Sequence, residues 1–175
     1  MKHAKSQNKV LIVVLMLITF VAISVTVWAL FFRNSTPTLS PDYAPQEEEK
    51  YAQTIPDDSG EKLNQPEGGG SVSLTYSKEV SVNLGENTAT LLFVNPGKSN
   101  QDMVVQIVVQ DTVIVQSGTL KPSNQVKTLD LLDSAKGKLE EGVYDGKFNV
   151  LYYNQETGEK AIVNTEIPIT VAVNK

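Results

Sequence analysis

The side chains able to do acid–base or metal chemistry in this 175-residue chain are almost all carboxylates. It has 20 Asp and Glu, no Cys and a single His, His3, close to its start. Disulfides, thiolate metal sites, a Cys nucleophile and a His-based catalytic triad are therefore excluded from the body of the chain. Acid–base catalysis needs titratable groups that converge, whereas these acids are spread over predicted turns. We therefore expect no enzymatic activity, no cofactor and no metal.

One group of acids has atoms suited to a calcium ion, because Ca²⁺ binds carboxylate oxygens. Its members are close in the sequence: Asp130, Asp133, Glu140, Glu141 and Asp145. Their spacing does not follow the D-x-[DN]-x-[DN]-G pattern of a calcium loop. Solvated loop acids are the favoured interpretation, and a calcium site is the alternative.

The charges divide the chain into four parts. The net charge is −5, which argues against nucleic-acid binding, since such proteins carry a basic stripe. The distribution predicts a cytoplasmic basic leader (residues 1–9), a transmembrane helix acting as a signal anchor (10–32), a disordered acidic linker (33–70) and an extracytoplasmic domain (71–175).

Residues 10–32 carry no charged side chain. As a helix they would extend ~34 Å at ~1.5 Å per residue, enough for a ~30 Å bilayer core. Three lysines precede this segment and one arginine follows it, so the positive-inside rule puts the N-terminus in the cytoplasm. The alternative is a cleaved signal peptide, with Val27 and Ala29 as the small residues before the cut, although signal-peptide apolar cores are usually shorter.

Residues 33–70 are rich in Pro, Gly, Ser and acids and poor in apolar residues, which predicts disorder. A flexible coil of this length averages ~30–35 Å end to end, and Gly68, Gly69 and Gly70 would act as a swivel. Residues 47–49 are three successive glutamates. They suit solubility, with docking to a basic partner as the alternative. Residues 34–36 match a glycosylation sequon, which we discount because nothing else indicates a secreted eukaryotic protein.

From residue 71 onward apolar and polar residues alternate, which is the periodicity of strands. Turn residues separate about seven to eight such stretches, and no long helix is predicted among them. The fold class is therefore all-β, an immunoglobulin-like antiparallel β-sandwich. Residues 103–109 are apolar at nearly every position and predict a central strand. Pro168 interrupts the last strand and indicates an edge position or a bulge.

Leu139, Gly142 and Tyr144 form the pattern L-x-x-G-x-Y, which is similar to the tyrosine corner of Greek-key sandwiches. There the tyrosine hydroxyl bonds to backbone upstream, and Gly142 would supply an unusual backbone angle. Strand alternation puts Tyr153 on the other face of the sheet, so its hydroxyl is expected to matter much less than that of Tyr144.

Two turns of such a sandwich lie at the same end, B–C (residues 95–102) and F–G (154–159). Their polar side chains form a candidate partner-binding patch. It comprises Asn95, Lys98, Ser99, Asn100 and Gln101 from the first turn and Asn154, Gln155, Glu156 and Thr157 from the second. Turn geometry alone also favours these residue types, so the alternative is that they only shape the loops.

Three short stretches, N-P-G-K at 95–98, K-P at 121–122 and G-x-Y-D at 142–145, resemble small single-pass envelope proteins of Gram-positive bacteria, many of them encoded near conjugative elements. The likeness covers roughly residues 75–173. The likeness carries no assigned activity. Together with the absence of catalytic groups, it leads us to predict a non-catalytic interaction or scaffolding role at the cell envelope, beside a secretion or conjugation apparatus, with an envelope protein as partner. The alternative is a surface adhesin or glycan-binding module. The loops lack aromatic residues, which favours a protein over a glycan.

Overall fold

The computed structural model describes residues 3–31, 38–58, 60–64 and 69–175, and the chain divides into two units at residues 37 and 38. The sequon at 34–36 and Gly68 lie outside the described residues. The first unit contains helix α1 (His3–Phe31), which covers the predicted apolar helix up to residue 31 and begins before it. Across the described residues, no helix combines the length and the apolar character needed to cross a membrane.

The described part of the second unit contains nine strands and one 3₁₀ turn. The strands are β1 (Gln53–Thr54), β2 (Thr75–Tyr76), β3 (Glu79–Asn83), β4 (Thr88–Asn95), β5 (Gln101–Val109), β6 (Thr112–Gln116), β7 (Asn124–Asp130), β8 (Gly142–Asn154) and β9 (Thr165–Asn174). The 3₁₀ turn covers Asp133–Ala135, between β7 and β8.

The strands pair in the order β1-β7-β4-β3-β9-β8-β5-β6, with β2 also on β4. All pairs are antiparallel except β3 with β9. β4 and β7 correspond to strands B and E of an immunoglobulin-like sandwich, and β5, β8 and β9 correspond to C, F and G. The predicted all-β class is confirmed, and the seven strands of five or more residues found here agree with the predicted number.

The two layers are joined along both sides. β3 pairs with β4 of one layer and with β9 of the other. On the opposite side a bridge joins Val115 of β6 to Leu131, just after β7. The sheet therefore curls around its core instead of ending in two open edges.

Alternate residues of both layers fill that core. Phe148 lies at its centre and meets Phe93 and Tyr76 edge to face, with ring centroids 5.6 and 6.3 Å apart. β5 lies between β8 and β6, as predicted for a central strand, and Val104 on its outer face is as fully buried as Val105 on its inner face. The burial of β5 on both faces shows that something covers the outer face as well.

Pro168 sits where β9 has a partner on one side only. It pairs with Lys147 of β8, whereas β3 joins β9 only from Thr170 onward. A residue without an N–H is tolerated there because no ladder bond is lost. The predicted edge position of Pro168 is thus confirmed.

The predicted disordered linker is wrong for residues 38–58 and 60–64, which pack onto the sandwich and are called the strap below. Strand β1 within the strap pairs with β7, and single bridges join Tyr43 to Glu159 and Glu48 to Thr119. The strap cannot build a core of its own. It is ordered because its backbone groups and a few apolar side chains find partners on the sandwich, so the folded unit begins at residue 38 instead of 71.

The strap also corrects the expectation for Tyr153. Tyr153 lies on the outer face of β8, as alternation predicts, yet it is completely buried. With Val104 and Leu151 it forms a second small apolar cluster, against which Ala44 of the strap packs. The Tyr153 hydroxyl donates to the carbonyl of Pro41 at 2.9 Å.

Candidate partner-binding loops

The two predicted loops do lie side by side. Gln101, at the start of β5, pairs with Asn154, at the end of β8. The Gln155 side-chain amide donates to an Asp102 carboxylate oxygen at 2.9 Å and so links the two loops. The nine candidate residues are therefore at one end of the sandwich, although their environments differ.

Asn95 belongs to the interior of the protein. Its side-chain amide donates to the carbonyls of Gln101 and Leu120, at 3.0 and 2.9 Å. These two bonds link the start of the B–C turn to its end and to the segment after β6. The residue is fully buried, and its Oδ1 has no hydrogen-bond partner among the described residues. Asn95 thus shapes the loop and does not face a partner.

Ser99 and Asn100 are occupied by the segment that leads into β2. Ser99 Oγ accepts from the Ser73 N–H at 3.0 Å and donates to the Ser73 carbonyl at 3.2 Å. Asn100 Oδ1 accepts from the Ser71 N–H at 2.8 Å. Ser99 is fully buried, Gln101 is 9% exposed and Asn100 is half-buried. With Asn95, four of the five predicted binding residues in this turn are therefore covered.

The strap crosses the same turn. Leu63 N–H donates to the Lys98 carbonyl at 2.9 Å, and Lys62 Nζ donates to the Ser99 carbonyl at 2.7 Å. Gly97 N–H donates to the Asp58 carboxylate at 2.6 Å. A Cβ on Gly97 would lie 2.1 Å from the Asp58 carbonyl oxygen, so only glycine fits under the strap. The Lys98 side chain remains exposed.

In the F–G turn, the Asn154 side chain stabilises the conformation of the loop. Its Oδ1 accepts from the N–H groups of Glu156 and Thr157, at 2.7 and 3.0 Å. Gly158 closes the turn with a φ of +71° and donates its N–H to the Asn154 carbonyl at 2.8 Å. Gln155, Glu156 and Thr157 are exposed, so of the nine candidates these three and Lys98 offer freely accessible side chains.

Asp102 is the polar residue between the loops with a perturbed ionisation. Burial raises the pKa of its carboxyl above the ordinary value, against the opposing effects of the Gln155 amide and Lys121. Glu48, which adds to the increase in this pKa, is itself ion-paired with Lys121. Burial therefore makes the ionised form of Asp102 less favourable than it would be in water.

The predicted tyrosine-corner contact is present. Tyr144 OH donates to the Glu140 carbonyl at 3.0 Å and accepts from the Glu140 N–H at 3.2 Å. Leu139 is buried beside it, and Gly142 opens β8 with a φ of +156°. Tyr144 is only half-buried, however, and Glu140 is exposed.

The acids considered for calcium do not converge. Asp130 pairs with Lys50 and accepts from the Tyr51 hydroxyl at 2.9 Å, while Asp133 pairs with Lys136 at 2.7 Å. Within the described ranges no three acidic or His side chains come together as a metal site. Each of these two carboxylates instead has a cation beside it.

The sequence did not reveal the structural role of Glu49, because it is one of three successive glutamates. Glu49 is 7% exposed, and its two carboxylate oxygens accept from the N–H groups of Tyr51, at 3.0 Å, and Gly118, at 2.7 Å. The strap backbone passes so close to Gly118 that a Cβ there would lie 3.0 Å from it. No local pattern distinguishes Glu49 from Glu47 or Glu48, because its partner lies 69 residues away.

No protein-family model and no curated protein match this sequence. Solved structures with partial similarity include the periplasmic chaperone SfaE, at 14% identity and a TM-score of 0.37, over 58% of this chain and 56% of the chaperone. AggA, the major subunit of aggregative adherence fimbriae type I from Escherichia coli, aligns at 9% identity and a TM-score of 0.30, over 64% and 100% of the two chains. The CooA pilin subunit of enterotoxigenic Escherichia coli aligns at 15% and 0.26, over 59% and 99%. All three TM-scores lie below 0.5, so the fold assignment rests on the strand order of this chain.

Proposed function

We propose that this chain is a single-pass membrane protein of a bacterial cell envelope. Its β-sandwich faces outward, binds another envelope protein and performs no catalysis. The sequence likeness to Gram-positive envelope proteins suggests a secretion or conjugation apparatus as its setting. The observation that supports the proposal best is the way in which the sandwich already holds an extended chain, its own strap.

The strap is bound as a peptide ligand would be. Its backbone bonds to the sandwich at several places: Lys160 N–H donates to the Asp42 carbonyl at 2.9 Å, and Ile55 N–H donates to the Ser123 carbonyl at 2.9 Å. Between them, Thr119 N–H donates to the Glu47 carbonyl at 3.1 Å. Recognition of an extended segment through main-chain bonds is a common mode of protein binding.

Membrane anchoring is supported by the sequence and by the surface of α1. Residues 10–32 lack charge, and the large apolar side chains described between Ile12 and Val25 are 47–69% exposed. Apolar surface in this amount is unfavourable in water and is stabilised by lipid. The lysines before the segment favour a cytoplasmic N-terminus.

The accessible part of the loop patch, Lys98 with Gln155, Glu156 and Thr157, is the proposed partner-facing surface. Glu156→Lys reverses one exposed charge there and leaves the backbone bonds of the turn in place. Glu86→Lys is a matched control, since Glu86 is exposed on the β3–β4 turn at the other end of the sandwich. In cells, the amount of envelope protein that copurifies with the full chain should fall for Glu156→Lys and stay unchanged for Glu86→Lys.

Equal recovery with both variants would show that the patch is not the binding surface. A glycan array probed with the full chain tests the second candidate, an adhesin or glycan-binding module. Tyr43, 62% exposed and bridged to Glu159, gives that candidate the aromatic side chain that the loops lack. Specific glycan binding abolished by Tyr43→Ala would replace the protein-binding proposal.

Topology is tested by cysteine labelling, because the native chain has none. A cysteine at Glu86 should react with a membrane-impermeant maleimide in intact cells, and one at Ser6 should react only after the cells are opened. The opposite pattern would contradict the orientation.

A further inference from the structure

Three apolar side chains project from the sandwich beside the F–G turn. Ile162 is 102% exposed, Val163 70% and Tyr43 62%. Isolated exposed apolar residues are normal on proteins, but these belong to one place, and we call them the apolar tip. None of the three is part of the two buried clusters, so the fold itself gives no reason for their apolar character.

Backbone hydrogen bonds fix the segments that carry the apolar tip. The Lys160 N–H donates to the Asp42 carbonyl at 2.9 Å and the Ala161 N–H donates to the Tyr152 carbonyl at 2.8 Å, immediately before Ile162. On the strap, the bridge between Tyr43 and Glu159 fixes the third member. Tyr43 and Ile162 line the same surface depression of about 420 Å³. The apolar side chains are thus presented together by the F–G turn and the strap.

The tip lies close to the N-terminal start of the folded unit. Asp42 and Tyr43 follow the first described strap residue, Thr38, by four and five positions. Six residues, 32–37, separate Phe31 from Thr38 in the sequence. The seven Cα–Cα steps from Phe31 to Thr38 can reach at most about 25 Å, which is shorter than the average reach of the 38-residue free linker that the sequence predicted.

We propose that the apolar tip inserts into the lipid headgroup layer of the membrane that anchors the chain. This inference rests on the proposed membrane anchor and specifies how the domain is oriented on it. Tyrosine with aliphatic neighbours is a combination suited to the membrane interface.

The surrounding charges predict the kind of lipid surface. Asp42 and Glu159 line the same depression as Tyr43 and Ile162, with Lys160 as the basic neighbour. Anionic lipids would therefore repel the tip, and insertion is driven by apolar burial. It should be stronger in zwitterionic than in anionic bilayers, and in zwitterionic bilayers it should be insensitive to salt.

The test places an environment-sensitive fluorophore on single cysteines in the full chain, reconstituted in phosphatidylcholine nanodiscs. Ile162→Cys and, independently, Val163→Cys report on the tip. Val143→Cys is the matched control: it replaces a 73% exposed aliphatic residue at the other end of β8. We expect blue-shifted emission and quenching by spin-labelled lipid at positions 162 and 163, and quenching by aqueous iodide at position 143.

Each other outcome overturns the inference in a distinguishable way. If the protein co-elutes with nanodiscs but all three probes are quenched by iodide, the tip does not insert and the anchor still stands. If the protein does not enter nanodiscs, the anchor itself fails. A blue shift at position 162 that requires added envelope protein would assign the tip to a protein partner instead of lipid.

Discussion

Tyr144 and Tyr153 lie on the same strand, and each hydroxyl bonds to a backbone carbonyl, but their surroundings differ. Tyr144 is half-buried and bonds to exposed Glu140, so water can replace the lost partner. Tyr153 is fully buried beneath the strap, and burial, with a smaller effect of Asp42, raises the pKa of its hydroxyl to about 12. The ranking expected from the sequence is therefore reversed.

Tyr153→Phe should lower the free energy of unfolding by ~1–3 kcal/mol, because the Pro41 carbonyl loses its donor in a desolvated place. Tyr144→Phe should lower it by ~1 kcal/mol, the usual net value of a solvent-accessible hydrogen bond. Urea denaturation of the two variants measures the difference. A greater loss for Tyr144→Phe would mean that the strap does not cover Tyr153 in solution.

Asp102 predicts a pH effect at the candidate loops. Its folded-state pKa is raised, so its contribution to stability is fully present below the unfolded value near 3.8 and is lost as the pH rises through the folded value. Asp102→Asn keeps an acceptor for Gln155 and cannot ionise. We expect this variant to be at least as stable as the wild type at pH 7 and to lose that advantage near pH 3, as followed by thermal melts. The opposite effect of Asp130, whose pKa is lowered by Lys50, is common to both proteins and cancels in the comparison.

The packing of the strap onto the sandwich depends on one buried side chain, Glu49. The Glu49 carboxylate accepts from two backbone N–H groups, one within the strap and one on Gly118. An amide in its place turns one acceptor into a donor, which then faces an N–H group. Glu49→Gln should therefore cost ~1–3 kcal/mol and expose the strap to protease.

Glu48→Gln is the matched control for this prediction. Glu48 precedes Glu49 directly but is exposed, and its ion pair with Lys121 is a surface pair worth ~0–1 kcal/mol. Equal denaturation midpoints for the two variants would contradict the assigned role of Glu49. Limited proteolysis between residues 38 and 58 gives an independent measurement.

The strands were predictable from sequence because their signal is local: alternate side chains of β5 and β8 face opposite sides of the sheet wherever those strands pair. The adjacency of Gln101 and Asn154 followed from the order of strands in the sandwich. The strap was not predictable, since its order depends on partners such as Gly118 and Tyr153, far away in the sequence. For the same reason, the sequence did not reveal that Ser99 and Asn100 are already bonded.

At the scale of the whole molecule, the strap contributes to the stability of the folded unit, so deleting it should affect more than the length of the tether. Deleting residues 41–58 from a free tether would only shorten it, whereas here it removes β1, Glu49 and the cover over Tyr153. We expect a clear fall in the melting temperature of the full chain. Inserting a six-residue Gly-Ser segment between Pro37 and Thr38 lengthens the tether outside the strap and should leave the melting temperature unchanged. An unchanged melting temperature after the deletion would show that the strap adds nothing to stability.

The strap also determines how the protein responds to tension. A pull on the chain ahead of residue 38 is transmitted to the strap before it reaches the sandwich, and the strap's contacts, from Pro41 onward, lie one behind another along the chain. They would therefore break in succession. Residues 38–58 would release about 70 Å of extended chain in this way. Under tension the strap would therefore lengthen before the strand pairs of the β-sandwich come under load.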